Sequence, residues 1–204
     1  MSENWDEYAA GWDGNAAVIA YADNAYLALQ NTVNLDACRI MDFGCGTGLL
    51  TERLSERASS VVALDASQKM ISVLNNKHLD NVATIASELD QNLVNDDELL
   101  TPKFDLVVAS SALAFVPDYV ETLKLLKHLL NRGGYLVQWD WLKDEGDAGY
   151  GFSEQQIKSA LTEAGFVECS TSVPFSMQSD GSKLDVVMGV AKSGQVSAQG
   201  DERE

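Results

Sequence analysis

The chain has 204 residues, 46% of them hydrophobic, and carries 31 acidic against 14 basic side chains, a net charge of −17. That length suits one domain with a substantial core, and no apolar run in the sequence approaches the ~20 residues needed to span a bilayer. The acidity and the lack of any basic stretch argue against nucleic acid and anionic membranes as partners. Such a charge keeps a surface solvated, and a sharper consequence would be attraction of a cationic or neutral ligand. The start, MSENWDEYAA, is too polar to read as a signal peptide. Cys38, Cys45 and Cys169 lack metal-ligand or redox spacing, so a reducing cytoplasmic setting is the simplest expectation.

Residues 14–31 are predicted as a helix, with Ala16, Ala17, Ile19, Ala20, Leu27 and Leu29 as its apolar surface. Strands and helices then alternate at short intervals, the pattern of a parallel α/β sheet. Residues 38–43 form the first strand and 49–58 its helix. Residues 61–64 (VVAL) form the second strand, ending at Asp65, and Ser67 can cap a helix reaching about Lys77. Residues 82–86 are a third strand, 87–103 a polar loop or short helix, and 104–109 (FDLVVA) a fourth strand with Asp105 near its base. Asp118 and Glu121 resemble a capping pair for a helix over 118–131, ahead of Gly133-Gly134. Residues 135–139 are the fifth strand, and Ser153 with Gln156 opens a capped helix that stops at Gly165. Residues 166–172 and 184–191 complete the sheet. The domain is expected to span 1–192, with 193–204 a disordered tail.

The segment Ile40–Gly48, IMDFGCGTG, is the most informative in the chain. An apolar strand carrying Asp42 runs into glycines at alternate positions, Gly44, Gly46 and Gly48, and then into a helix. A glycine loop between a strand and a helix N-terminus can hold a small molecule. Here the spacing is G-x-G-x-G and position 49 is leucine, so the dinucleotide fingerprint is not completed. Asp42 also argues against a pyrophosphate and suits a ligand carrying positive charge.

This segment resembles motif I of the class I S-adenosylmethionine-dependent methyltransferases, and further landmarks follow in that family's order over roughly residues 5–192. The resemblance implies a Rossmann-like, doubly wound, seven-stranded and mostly parallel sheet. Its last strand would be antiparallel and inserted between the fifth and sixth. It implies S-adenosylmethionine as cofactor and a small molecule as methyl acceptor, with no nucleic acid or membrane partner. The carboxyl ends of four strands would then converge on the cofactor: Asp42, Gly44, Cys45, Gly46, Thr47 and Gly48 from the first; Asp65, Ala66, Ser67 and Met70 from the second; Ser87 and Glu88 from the third; Ser110 and Ser111 from the fourth. Asp65 is placed to accept the ribose hydroxyls, although an exposed Asp after a strand is also a common turn or capping residue.

Many relatives carry a histidine soon after the fourth strand, where this chain reads Ala112-Leu113-Ala114-Phe115. Neither His78 nor His128 sits where a catalytic base is needed, no metal-ligand cluster stands out, and no catalytic residue is assigned. Methyl transfer can proceed by in-line positioning; if a proton must leave, Tyr8, Tyr150 or Asp140 are the candidates. Trp5, Tyr8 and Trp12, in a stretch similar to the N-terminal lid of small-molecule methyltransferases, join Phe115, Trp141 and Tyr150 as the expected acceptor-site aromatics. A non-catalytic binder of the same cofactor, a protein methyltransferase and a nicotinamide-dependent oxidoreductase are the alternatives. Oligomeric state is open.

Overall fold

The computed structural model describes residues 4–144, 149–179 and 182–194. Two 3-10 turns, Trp5–Glu7 and Ala9–Gly14, precede helix α1, Ala16–Gln30. The remaining elements are β1 (Arg39–Phe43), α2 (Leu49–Ser55), β2 (Ser60–Asp65), α3 (Gln68–Asn75), β3 (Val82–Ala86), α4 (Gln91–Asp96), β4 (Phe104–Ser110), α5 (Tyr119–Leu129), β5 (Leu130–Trp141), α6 (Glu154–Glu163), β6 (Phe166–Ser179) and β7 (Ser182–Ser193), with a further 3-10 turn at Leu113–Phe115. The seven strands lie in the order β3-β2-β1-β4-β5-β7-β6. Strands β1 to β5 pair in parallel, and β7 runs antiparallel to both β5 and β6. The topology implied by the resemblance is therefore present, with β7 inserted between β5 and β6. Most of the expected tail lies outside the described residues, but Ser193 is the buried last residue of β7.

Alternation along the strands explains the layering. Met41, Phe43, Val62, Leu64, Val107 and Leu136 face a core closed by Leu123, Leu126, Ile157 and Leu161 of α5 and α6. Ile40, Val61, Leu106, Val108, Val137 and Trp139 face the other way, against Tyr21, Ala25 and Leu29 of α1 and Leu50 and Leu54 of α2. Register aligns the carboxyl ends: Phe43 stands beside Leu64 and Ala109, Leu64 beside Ile85, and Ala109 beside Gln138. At the opposite end, Asp105 accepts from the Arg39 amide at 2.9 Å and from Asn131 Nδ2 at 2.8 Å, a structural role.

Local chemistry sets the helix starts. Ser67 accepts from the Met70 amide, and Ser153 and Gln156 form a reciprocal capping box at α6. At α5 the box is half made: Asp118 accepts from the Glu121 amide, while the Glu121 carboxylate turns to Lys124 at 2.6 Å. Strand β5 begins five residues earlier than expected. Leu130 already pairs with Phe104, and a register shift before Leu106 absorbs the Gly133-Gly134 segment within the strand. A side chain on Gly134 would stand 3.0 Å from the Asn131 carbonyl, so that glycine serves close packing and not a chain break.

Helix α6 lies so close to β7 that a Cβ on Gly189 would sit 2.6 Å from Ile157 Cγ2. Gly189→Ala is expected to destabilise the fold by about 1–3 kcal/mol through overpacking, read as a lowered urea midpoint with an unchanged m-value.

Candidate cofactor and acceptor site

The three glycines after β1 have different reasons to be glycine. All adopt positive φ, at 69°, 55° and 82° for Gly44, Gly46 and Gly48. A Cβ on Gly44 would stand 2.3 Å from Ala112 Cβ, and one on Gly48 2.3 Å from Leu74 Cδ1. Both are therefore demanded by packing. A Cβ on Gly46 would meet nothing nearer than Trp12 Nε1 at 3.9 Å, so this is where the main chain is open to a ligand. The amides of Gly44 and Cys45 donate to Leu64 O, that of Gly48 to Cys45 O and that of Gly46 to Asp65 Oδ2. A phosphate cradle needs free amides, and these four are committed.

Two carboxylates frame the loop. Asp42 is 1% exposed; its Oδ2 accepts from Thr51 Oγ1 at 2.6 Å, while Oδ1 is buried without a partner. Burial chiefly, with some repulsion from Asp65 and against the Thr51 bond, pushes its carboxyl up to about 7. Asp65 is the tie between loop and helix: Oδ2 accepts from the Gly46 amide and Oδ1 from the Ser67 amide, each at 2.8 Å. Burial raises its pKa as well, against those two bonds. Asp65 thus has the turn and capping role in the structure. An ionised carboxylate has about four acceptor positions, so two backbone donors leave capacity for hydroxyl groups.

The other cofactor-side residues divide. Thr47 donates to Asp13 from the second N-terminal turn, and Asp13 also pairs with Lys77 at 3.0 Å. Ser67 Oγ donates to Asp6 at 2.6 Å while accepting from Met70, whose own side chain is buried under α3. The Cys45 thiol is buried, which raises its pKa and makes it a poor nucleophile. Ala66 and Glu88 are exposed, and Ser87 donates to the Glu88 carbonyl at 3.1 Å. Ser110 ends β4, and Ser111 turns the chain at φ 53° with its amide donating to Trp139 O at 2.7 Å. The segment 4–15 thus lies over the glycine loop and the start of α3. Its anchors Asp6 and Asp13 carried no signal in the sequence beyond their proximity to Trp5 and Trp12.

Five of the six expected acceptor-site aromatics meet. Trp5 stands 5.9 Å from Tyr8, 6.0 Å from Trp12 and 5.0 Å from Phe115, and Phe115 stands 4.4 Å from Tyr150. Trp141 is not among them: its ring packs on Tyr21, and Tyr21 on Phe175, on the α1 face of the sheet. Alternation along β5 puts Trp141 on the side of Trp139, which is a core residue. On the opposite face of β5 lies a chain of polar groups that the sequence did not reveal as buried. Tyr119 OH donates to Gln138 Oε1 at 2.6 Å, and Gln138 Nε2 donates to Asp140 Oδ2 at 3.1 Å. Asp140 is 1% exposed, and burial pushes it up to about 8 despite Gln138 and the nearby Ala114 amide. Tyr119 is likewise raised by burial and by Asp140.

These shifts fix a pH dependence. With Asp42 and Asp140 titrating near 7 and 8 in the fold and near 3.9 when unfolded, the native state holds protons that the unfolded chain has released. Their contribution is fully present below about pH 4 and is lost as pH rises toward 8, at up to about 1.4 kcal/mol per pH unit per proton. Asp140→Asn mimics the protonated acid, so its stability relative to the parent should rise steadily between pH 5 and 8.5 in urea titrations. A difference independent of pH would contradict the assignment.

The sequence profile of the family described as methyltransferase domain matches residues 41–136. An uncharacterized methyltransferase of Schizosaccharomyces pombe is 34% identical over 136 residues, covering 64% of this chain and 48% of that protein. The ubiquinone biosynthesis O-methyltransferase of Xylella fastidiosa is 30% identical over 111 residues, covering 53% and 44%. The chain thus spans about half the length of these curated relatives. Among solved structures, the DhpI–SAH complex superposes with a TM-score of 0.70 at 22% identity over 93% of each chain. Magnesium protoporphyrin IX methyltransferase of Synechocystis with bound SAM gives 0.64 at 19% identity, covering 93% of this chain and 85% of its own. The methyltransferase-domain profile thus covers the glycine loop and runs from β1 into β5, and the seven-stranded sheet in the order β3-β2-β1-β4-β5-β7-β6 has the Rossmann-like fold of methyltransferases of known structure; in sequence and in fold the chain is similar to the S-adenosylmethionine-dependent methyltransferases.

Proposed function

We propose that the protein binds S-adenosylmethionine at the glycine loop and transfers its methyl group to a small-molecule acceptor. The observation that carries the reading is the unpartnered Asp42 Oδ1, buried at the end of the strand that leads into the glycine loop. A buried carboxylate oxygen without a donor is costly, and an ammonium group would satisfy it. Gly46 would let the ligand lie against the main chain, and the spare acceptor positions of Asp65 would take ribose hydroxyls. When bound, the cofactor supplies a methyl group on a positively charged sulfur, already activated for displacement. The chain's own contribution is then to align the acceptor and exclude water, worth at most ~7–11 kcal/mol of barrier. The segment carrying Trp5 and Trp12 lies where it would exclude water. Relatives named for ubiquinone and protoporphyrin chemistry support a small-molecule acceptor. The committed loop amides weigh against the nicotinamide alternative.

Calorimetric titration with S-adenosylmethionine, S-adenosylhomocysteine and NADH tests this directly. Binding of the first two without NADH is expected, and binding of NADH alone would refute the reading. Asp65→Ala should weaken S-adenosylhomocysteine by about 1.5–3 kcal/mol, roughly ten- to a hundredfold. It should also lower the melting temperature, because the Gly46 and Ser67 amides lose their acceptor. Because an ammonium favours the ionised form of Asp42, affinity should rise with pH through about 7. Asp42→Asn should flatten that dependence; a profile unchanged by the substitution would remove Asp42 from the cation site.

A further inference from the structure

The rings gathered after β4 and β5 are more than packing. They come from three separate stretches of chain, the N-terminal turns, the turn after β4 and the segment after β5. Rings gathered to fill a core would be covered, yet Tyr8 and Tyr150 are 52% and 51% exposed. Several contacts are steeply inclined, Trp5 meeting Phe115 at 87° and Trp12 at 89°, so the cluster turns ring faces in different directions. A buried carboxyl group is tied to the turn that carries Phe115. Asp140 is held by Gln138 and by the amide of Ala114, the residue next to Phe115. Phe152, beyond Tyr150 in the same segment, stacks at 4.4 Å on Tyr119, which belongs to the same polar chain. The Gln138 and Ala114 donors answer the buried acid in part, and it stands at the sheet end where this fold takes its ligands. The protein as a whole carries a charge of −17.

Aromatic faces attract cations, by about 0.5–1 kcal/mol when exposed and about 2 or more when desolvated. A neutral ligand would gain contact area from the rings but nothing from the acid or the net charge. We propose that Trp5, Tyr8, Trp12, Phe115 and Tyr150, with the Asp140 carboxyl behind the turn that carries Phe115, form the acceptor subsite and that it takes a small molecule bearing an ammonium group. The word acceptor rests on the methyltransferase reading; the cation site is a property of these residues alone.

Choline and 3,3-dimethylbutan-1-ol share a shape and differ in charge. Each is titrated into the full chain, with and without S-adenosylhomocysteine, followed by calorimetry and tryptophan fluorescence. Choline should bind at least about tenfold more tightly than the alcohol, within the range of a desolvated cation–aromatic contact. Tyr150→Leu, at a half-exposed position, should weaken choline about tenfold and leave its melting temperature and S-adenosylhomocysteine affinity in place. At pH 9, above the value of about 8 to which burial raises the carboxyl, Asp140→Asn should shrink the preference for choline while the alcohol binds as before. Equal affinity for the two probes, preference for the alcohol, no binding of either, or a preference indifferent to both substitutions overturns the proposal. If choline is preferred while S-adenosylhomocysteine fails to bind, the cation site stands and the methyltransferase reading falls; the reverse pattern removes the cation site alone.

Discussion

The site depends on one side chain that ties two turns together. Asp65, at the end of β2, accepts from the amide of Gly46 in the loop after β1 and from the amide of Ser67 at the start of α3. Neither turn is fixed by the sheet itself, since both lie beyond the last paired residues. One carboxylate with two charge-assisted bonds sets their separation, and with it the gap into which a ligand must fit. The backbone adds to the tie, because Gly44 and Cys45 donate to Leu64 O and Ser87 donates to Asp65 O. The carboxyl ends of β1, β2 and β3 are thereby held as one rigid rim.

Around this rim acidic groups accumulate without cationic partners of equal number. Asp42 and Asp140 are buried, and Asp6 and Asp13 reach down from the N-terminal turns to Ser67 and Thr47. Of these, Asp13 has an ion pair, to Lys77. A field of one sign in a partly dry cleft raises the local concentration of oppositely charged ligands. Burial, more than this field, is what raises the carboxyls of Asp42 and Asp140. Fold stability and ligand charge are therefore coupled here: what makes the unliganded site uncomfortable is the same charge that a cation would relieve.

Much of this was legible in the sequence, for identifiable reasons. The central strands are short apolar runs bounded by turn residues, and the helix starts are marked by Ser67, Asp118 and Ser153, whose side chains cap as their chemistry dictates. The convergence of Trp5, Tyr8, Trp12, Phe115 and Tyr150 followed from the places of their elements at the sheet's carboxyl end. Trp141 went astray although alternation with the core residue Trp139 was available to place it. The early start of β5 has no sequence signal because Gly133-Gly134 resembles a chain break, and the compensating register shift against β4 is a tertiary fact. Burial of Gln138 and Asp140 had no local signature: a polar pair two residues apart in a strand equally describes a solvated face. The two acids of the N-terminal turns were unreadable for the same reason, since their partners Thr47 and Ser67 are distant in sequence.

The division of labour among the three loop glycines bears on how such a signature persists through descent. Gly44 and Gly48 are held by Ala112 and Leu74, neighbours that belong to the folded chain and not to any ligand. A lineage that abandoned its chemistry would go on selecting those two residues for the sake of folding. Gly46 alone of the three is free of such a clash, and the fold holds it only through its positive φ. In such a loop the middle glycine is the position where packing asks least of the side chain, and where a ligand's demand would add most to that of the backbone.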